Sequence, residues 1–267
     1  MSTQKRKLAL INSREWFHSI RVDEELVTPG KAPLSYLESI LRFLKVPDSL
    51  EGLSVLDIGA WDGFFSFEAE RRGAQRVVAY DLHPPNQYGF SIAKELLNSK
   101  VEYVQGSVYD LSSTSIGTFD VVFFCGVLYH LRYPLLALDR IWEVTKQYML
   151  LETQCLDNHL LLPDLTSLPL SAVDERLTDV ALFQFYRNDE LNPGDYSNWF
   201  APNRKAIEDS LWSAGFEPGF LAKWDARVAY RAVRLPGIQE YKRQTYEGLE
   251  YVVNHDGTPI PSMPPRP

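Results

Sequence analysis

Two hydrophobic rhythms alternate along the chain. Tyr36, Leu37, Ile40, Leu41, Phe43 and Leu44 recur at helical spacing, and the run Val55-Leu56-Asp57-Ile58 that follows is short, apolar and strand-like. The exchange then repeats. Strand-like runs stand at 77–80, 101–104, 119–124 and 148–151, with helical patterns at 64–72, 89–98 and from Pro134 through Val144. The run 119–124 is aromatic and β-branched, the composition of a buried strand. Further on, Asn203 reads as the cap of a helix to Ala214, with Gly215 as its stop. Two last strands follow at 220–224 and 227–235, turning at Asp225-Ala226.

Strands alternating with helices predict an α/β fold, here a seven-stranded, mostly parallel sheet with helices on both faces. In such sheets ligands sit beyond the carboxyl ends of the strands, where Asp57, Asp81, Ser107, Tyr129, His130 and Glu152 all fall. Elsewhere the rhythm fails. Residues 1–14 are polar and read as a loose arm, and 16–30 as an irregular or short helical lead-in. The stretch from 154 carries Pro163, Pro169 and Pro193 among many aromatics, and is long enough to be a functional lid. The expected organisation is a lead-in at 1–50, a ligand-binding half at 51–153, an inserted lid at 154–202, a closing helix and hairpin at 203–236, and a polar, disordered tail at 237–267.

The first strand opens onto Gly59-Ala60-Trp61-Asp62-Gly63 and then a helix. Strand, glycine turn and helix start are the opening of a nucleotide-binding unit, because glycine lets the backbone approach a ligand and the helix presents free N–H groups. The spacing is not that of a dinucleotide loop, since Trp61 stands in the middle position. The loop better suits a ligand without a pyrophosphate. Glycines placed purely for packing are the alternative. Asp81, ending the second strand, is suited to accept from ribose hydroxyls, or else caps the turn before Pro84. Ser107 and Val108 are placed to read the edge of a base, while Asp110 is placed to cap a helix.

Composition changes this picture little. Over 267 residues the chain is 45% hydrophobic and 23% charged, and its net charge of −8 (27 basic, 35 acidic) disfavours a broad nucleic-acid footprint. Cys125 and Cys155 form no disulfide framework or zinc spacing. His83, His130 and Glu152 lack a tight ligand motif, so no metal is expected. With no apolar run long enough to span a bilayer and no secretory leader, the expectation is a cytoplasmic chain. The oligomeric state stays open.

Four segments together, VLDIGAWDGFFSF, Asp81, FDVVFFCGVLYHLRYP and LLET, resemble the Rossmann-like S-adenosylmethionine-dependent methyltransferases over roughly 55–153. GVLYH with Arg132 and Pro134 is similar to the group around the tRNA wobble-uridine (5-oxyacetate) carboxymethyltransferase. The resemblance implies that Asp57, Gly59, Ala60 and Gly63 hold the methionine part of the cofactor and Asp81 its ribose. It puts Ser107 and Val108 at the adenine, and Cys125 and Gly126 at the floor of the methyl site. Two features depart from the pattern: Trp61 replaces the usual middle glycine, and no lysine stands near Arg14-Glu15-Trp16-Phe17, where the tRNA group holds its carboxylated cofactor. Tyr129 does match a position of that group.

Methyl transfer from a sulfonium is an in-line displacement, aided by alignment and, for a hydroxyl or amine, by a base. His130 is the candidate base, with packing or helix capping as its alternative. Glu152 is a second base or an orienting group, unless it is simply solvated, and Tyr129 contacts cofactor or acceptor or lines the cleft. Tyr196 and Trp199 are placed to stack on a planar acceptor, or to pack. The expected activity is S-adenosylmethionine-dependent methylation of a small organic acceptor at oxygen or nitrogen. The alternatives are a tRNA wobble-uridine (carboxy)methyltransferase using the carboxylated cofactor and a non-catalytic regulatory protein that binds adenosylmethionine.

Overall fold

The computed structural model describes residues 3–236. In chain order the helices are α1 (Thr3–Ile11), α2 (Leu34–Phe43), α3 (Phe64–Arg71), α4 (Phe90–Leu97), α5 (Ser113–Ile116), α6 (Pro134–Val144), α7 (Leu170–Val173) and α8 (Arg204–Ser213). The strands are β1 (Ser54–Ile58), β2 (Arg76–Asp81), β3 (Glu102–Gln105), β4 (Phe119–Cys125), β5 (Thr145–Gln154), β6 (Leu160–Leu161), β7 (Ser167–Leu168), β8 (Phe183–Phe185), β9 (Phe200–Pro202), β10 (Phe216–Trp224) and β11 (Arg227–Arg234). Seven of them form one sheet in the order β10-β11-β5-β4-β1-β2-β3. β1 to β5 pair in parallel, while β11 runs antiparallel to β5 and β10 antiparallel to β11. This is a Rossmann-like fold.

Side-chain alternation explains why both faces are covered. Val55, Val77, Ala79, Val121, Phe123 and Leu150 face one core, which also holds Leu37, Ile40 and Leu41 of α2, Phe64, Phe65 and Phe67 of α3, and Ala93 of α4. Leu56, Ile58, Val78, Val122, Phe124, Met149 and Leu151 face the other, with Leu138 and Ile141 of α6 and Ile207 and Leu211 of α8. Pro134 stands in the first turn of α6, where its missing N–H costs nothing. Asn203 caps α8 by accepting from the Ala206 N–H at 2.9 Å, as its position implied.

One expectation about the chain's flanks needs correction. Residues 3–11 are helical rather than a loose arm, because Ile11 buries its side chain and Trp16 donates its indole N–H to the Ile11 carbonyl at 2.8 Å. The segment after it is irregular, and Asp62 anchors it: this carboxylate accepts the backbone N–H groups of Phe17, His18 and Gly89 at 2.7–2.8 Å. Between β5 and α8 the chain forms two small two-stranded sheets, β6–β7 and β8–β9, around a minor core of Leu156, Leu170, Tyr186 and Ala201. The tail expected at 237–267 lies outside the described residues.

Candidate active site

The chain leaves β1 toward β2 and β3, then crosses back to β4 on the other side of β1. Such a reversal opens a crevice at the carboxyl ends of the two central strands. Its two walls are the loop after β1 and the loop after β4. They touch: a side-chain carbon built on Gly59 would come within 2.4 Å of Val127, and one on Gly63 within 2.7 Å of Phe67 and Phe90. Both glycines have positive φ, so packing and backbone conformation by themselves demand glycine there. Gly126 is different. Its φ is +72°, yet a side-chain carbon there would clash with nothing and make only ordinary contacts, with the Tyr129 hydroxyl at 3.7 Å and Glu152 Oε2 at 3.9 Å.

Carboxylates dominate the crevice. Asp57, Asp62, Asp81 and Glu152 are each no more than 5% exposed. Asp57 accepts from the Ser66 hydroxyl at 2.6 Å, yet burial pushes its pKa up to about 7. Burial likewise raises Asp62 against its three backbone hydrogen bonds, and Asp81 adds repulsion to both. Asp81 is bound to the loop itself: Oδ2 accepts from the Trp61 N–H at 2.9 Å and Oδ1 from the His83 N–H at 2.8 Å. Trp61, at φ +50°, stacks on Tyr88 with centroids 4.2 Å apart and meets His83 and Phe17 edge-on. Ala60 is buried beneath, its N–H directed at the Tyr80 carbonyl.

On the β4–β5 side, Glu152 is not solvated. It is buried and lies 2.7 Å from Arg227 Nε; burial raises its pKa, and the arginine and the Gly126 N–H offset that rise only in part. Arg227 also lies over the Tyr129 ring, 5.1 Å from its centroid. Strand register explains the pairing: Arg227 faces Gln154 and Ala229 faces Glu152, so arginine and glutamate are diagonal neighbours on one face. Arg227 Nη1 is buried without a hydrogen-bond partner. Cys125 sits across from Glu152, and burial raises its thiol pKa well above the usual range.

His130 ends a short 3-10 turn, Leu128–His130, and burial lowers its pKa. Its Nδ1 is 2.8 Å from the Ser197 hydroxyl, and Trp199 donates its N–H to the Tyr129 carbonyl at 2.8 Å. Arg132 lies over the Trp199 ring. Tyr196, by contrast, is 72% exposed. Ser107 caps the turn Val108–Asp110 by accepting from Tyr109, while the helix cap expected of Asp110 falls to Ser112, which accepts from the Thr114 N–H at the start of α5, and Asp110 is exposed. The expected residues after β1, β2, β4 and β5 therefore converge on one crevice. Asp62, Asp195, Ser197 and Arg227 make contacts with these residues or their loops that sequence reasoning missed. Asp62 lies inside the glycine loop, where an acid was a visible signal. The other three are brought in only by strand register and by the 195–199 turn. Among the described residues no group of three or more metal-ligand types converges, and no helix is long and apolar enough to cross a membrane.

Residues 56–149 match a family model described as a methyltransferase domain. The chain is 30% identical over 122 residues to a tRNA U34 carboxymethyltransferase of Cellvibrio japonicus, covering 45% of this chain and 35% of that one. It is 29% identical over 121 residues to the protein of the same name from Helicobacter acinonychis, covering 44% and 46%. The chain thus spans less than half the length of the curated relatives it matches. Among solved structures, the N-terminal domain of EvdMO1 with SAH bound superposes with a TM-score of 0.60 at 18% identity, covering 87% of this chain and 96% of that one. A structure described as a putative S-adenosylmethionine-dependent methyltransferase from Listeria monocytogenes gives 0.54 at 16%, covering 74% and 99%. Residues 56–149 are thus similar to methyltransferase domains, and they lie within a Rossmann-like fold.

Proposed function

We infer that this methyltransferase-domain protein is an S-adenosylmethionine-dependent enzyme that methylates a small organic acceptor at oxygen or nitrogen. The observation that carries the reading is the set of buried carboxylates around the glycine loop, Asp57, Asp62 and Asp81, with Glu152 across the crevice. Buried charge needs a counter-charge. Arg227 answers Glu152, three backbone N–H groups answer Asp62, and a ligand bearing an ammonium and a sulfonium answers Asp57 and Asp81. The residues fit such a ligand. The 59–63 loop and Asp57 would hold its amino-acid end. Each Asp81 oxygen spends one lone pair on a backbone N–H and keeps another for a ribose hydroxyl. The Ser107 hydroxyl accepts from Tyr109 and keeps its proton to donate to adenine, beside Val108. Cys125 and Gly126 would floor the reacting centre. The cofactor supplies a methyl group already activated by positive charge. The chain's own part is to align the acceptor and take its proton.

A second reading has its own support. The unmet Nη1 donor of Arg227 beside Tyr129 suits a carboxylate, and the curated relatives are named tRNA U34 carboxymethyltransferases. Against it, Glu152 already neutralises Arg227, and the chain carries 35 acidic against 27 basic residues. Incubation with methyl-labelled S-adenosylmethionine separates the two, using mixed small hydroxy and amino compounds in one arm and total tRNA in the other. The inference expects label in the small-molecule fraction. Label in tRNA, or binding of the carboxylated cofactor in preference to the ordinary one, would replace it with the second reading.

A further inference from the structure

The segment from Asp195 to Trp199 reaches over the end of β4 and meets the turn that carries His130. The contacts there determine which ring nitrogen bears the proton. Ser197 has one hydroxyl proton, and it is donated to Asp195 Oδ1, a carboxylate oxygen that also accepts the Ser197 backbone N–H at 3.0 Å. An ionised carboxylate can only accept. Burial of Asp195 opposes ionisation, but the hydrogen bonds from Ser197, with smaller help from Asn198 and the nearby His130 ring, together outweigh it and hold the acid below its ordinary pKa. With its proton committed, the Ser197 oxygen can only accept from His130 Nδ1, 2.8 Å away. The turn is anchored independently of the histidine: Asn198, 4% exposed, donates to the Asp195 carbonyl at 3.0 Å, and the Trp199 N–H binds the Tyr129 carbonyl.

We propose that Ser197 and Asp195 are positioning residues that fix His130 as its Nδ1–H tautomer, leaving Nε2 as the basic nitrogen, so that the segment after β5 completes the proton acceptor. The proposal rests on the methyl-transfer reading for its purpose, though not for its geometry. In that reaction Nε2 takes the acceptor's proton as the acceptor oxygen or nitrogen bonds to the methyl carbon. The carbon–sulfur bond breaks with its electron pair going to sulfur. The ring, now an imidazolium, keeps Nδ1–H on Ser197 and returns the Nε2 proton to water. Asp195, through Ser197, faces the positive ring, as an orienting acid does in hydroxyl–histidine systems.

Ring-nitrogen NMR of the full chain labelled at histidine tests this directly, with His130→Gln assigning the signal. At a pH where the ring is neutral, the expected result is a proton on Nδ1 in the wild type, loss of that single tautomer in Ser197→Ala and Asp195→Ala, and its return in Ser197→Thr. A wild-type ring protonated on Nε2, or a tautomer unchanged in Ser197→Ala, overturns the proposal. Either result leaves cofactor binding untouched. Failure to bind S-adenosylmethionine would instead remove the methyltransferase reading while leaving the tautomer as found.

Discussion

At the scale of single residues, Asp57 makes the sharpest prediction. Its folded pKa of about 7 lies above the ordinary carboxylate value of 3.8 because the group is buried. Between those values the folded chain holds a proton that the unfolded chain has released, so this residue's contribution to stability falls as pH rises from about 4 to about 7. A cationic ligand prefers the ionised form. Affinity for S-adenosylmethionine should therefore rise roughly tenfold per pH unit up to about 7 and level off above it. Calorimetry in buffers of different ionisation enthalpy should show a proton released on binding at pH 6. A pH-independent affinity, or the same profile in Asp57→Asn, would refute this. The Glu152–Arg227 pair makes a second prediction. Removing either partner strands a buried charge, so Glu152→Ala should lose about 3–5 kcal/mol in urea unfolding, and the double variant with Arg227→Ala less than the sum of the two single losses. A single-variant loss under about 1 kcal/mol would mean the pair is effectively hydrated.

At the scale of elements, what matters is how irregular segments are fastened to regular ones. Asp62 binds the 16–18 segment and the start of α4 to the glycine loop through three backbone N–H groups. Bonds to a charged acceptor are worth about 1.5–3 kcal/mol each, so Asp62→Ala should destabilise by about 3 kcal/mol or more. It should also speed hydrogen exchange at residues 16–32, and unchanged exchange there would remove the clamp from the account. Asn203 ties the inserted segment to α8: its side chain caps the helix, accepts from Leu182 N–H at 3.0 Å and donates to the Val180 carbonyl at 2.8 Å. Asn203→Ala should cost about 1 kcal/mol for the cap and more for the loop bonds, measurable as a lowered Tm. The helices and strands were legible because their apolar periods are long and clean, as in α2 and β4. The helix α1 was not legible, since its sequence is polar and it docks through Ile11 and Trp16 together with the pairs Lys7–Asp23 and Arg6–Glu95, which no local pattern records. β5 runs to Gln154, past the apolar 148–151, because β11 pairs with its polar end.

At the scale of the whole molecule, the parallel order about β1 gathers residues from four strand ends into one crevice, and that much followed from alternation in the sequence. The loop after β1 was read as a ligand loop because of its glycines. The structure shows that packing against Val127, Phe67 and Phe90 demands those glycines, whereas Gly126 beside Tyr129 and Glu152 has no such clash. Arg227 and Ser197 escaped sequence reasoning because they come from distant parts of the chain, and no local pattern records the register that places them at Glu152 and His130. The central claim is that this crevice binds S-adenosylmethionine. Calorimetric titration of the full chain with S-adenosylmethionine tests it, with Asp81→Ala as the paired variant and circular dichroism confirming that the variant folds. The account predicts one-to-one binding by the wild type and at least tenfold weaker binding by the variant, a difference of about 1.4 kcal/mol. No binding by the wild type, or equal affinity in a folded Asp81→Ala chain, would contradict it.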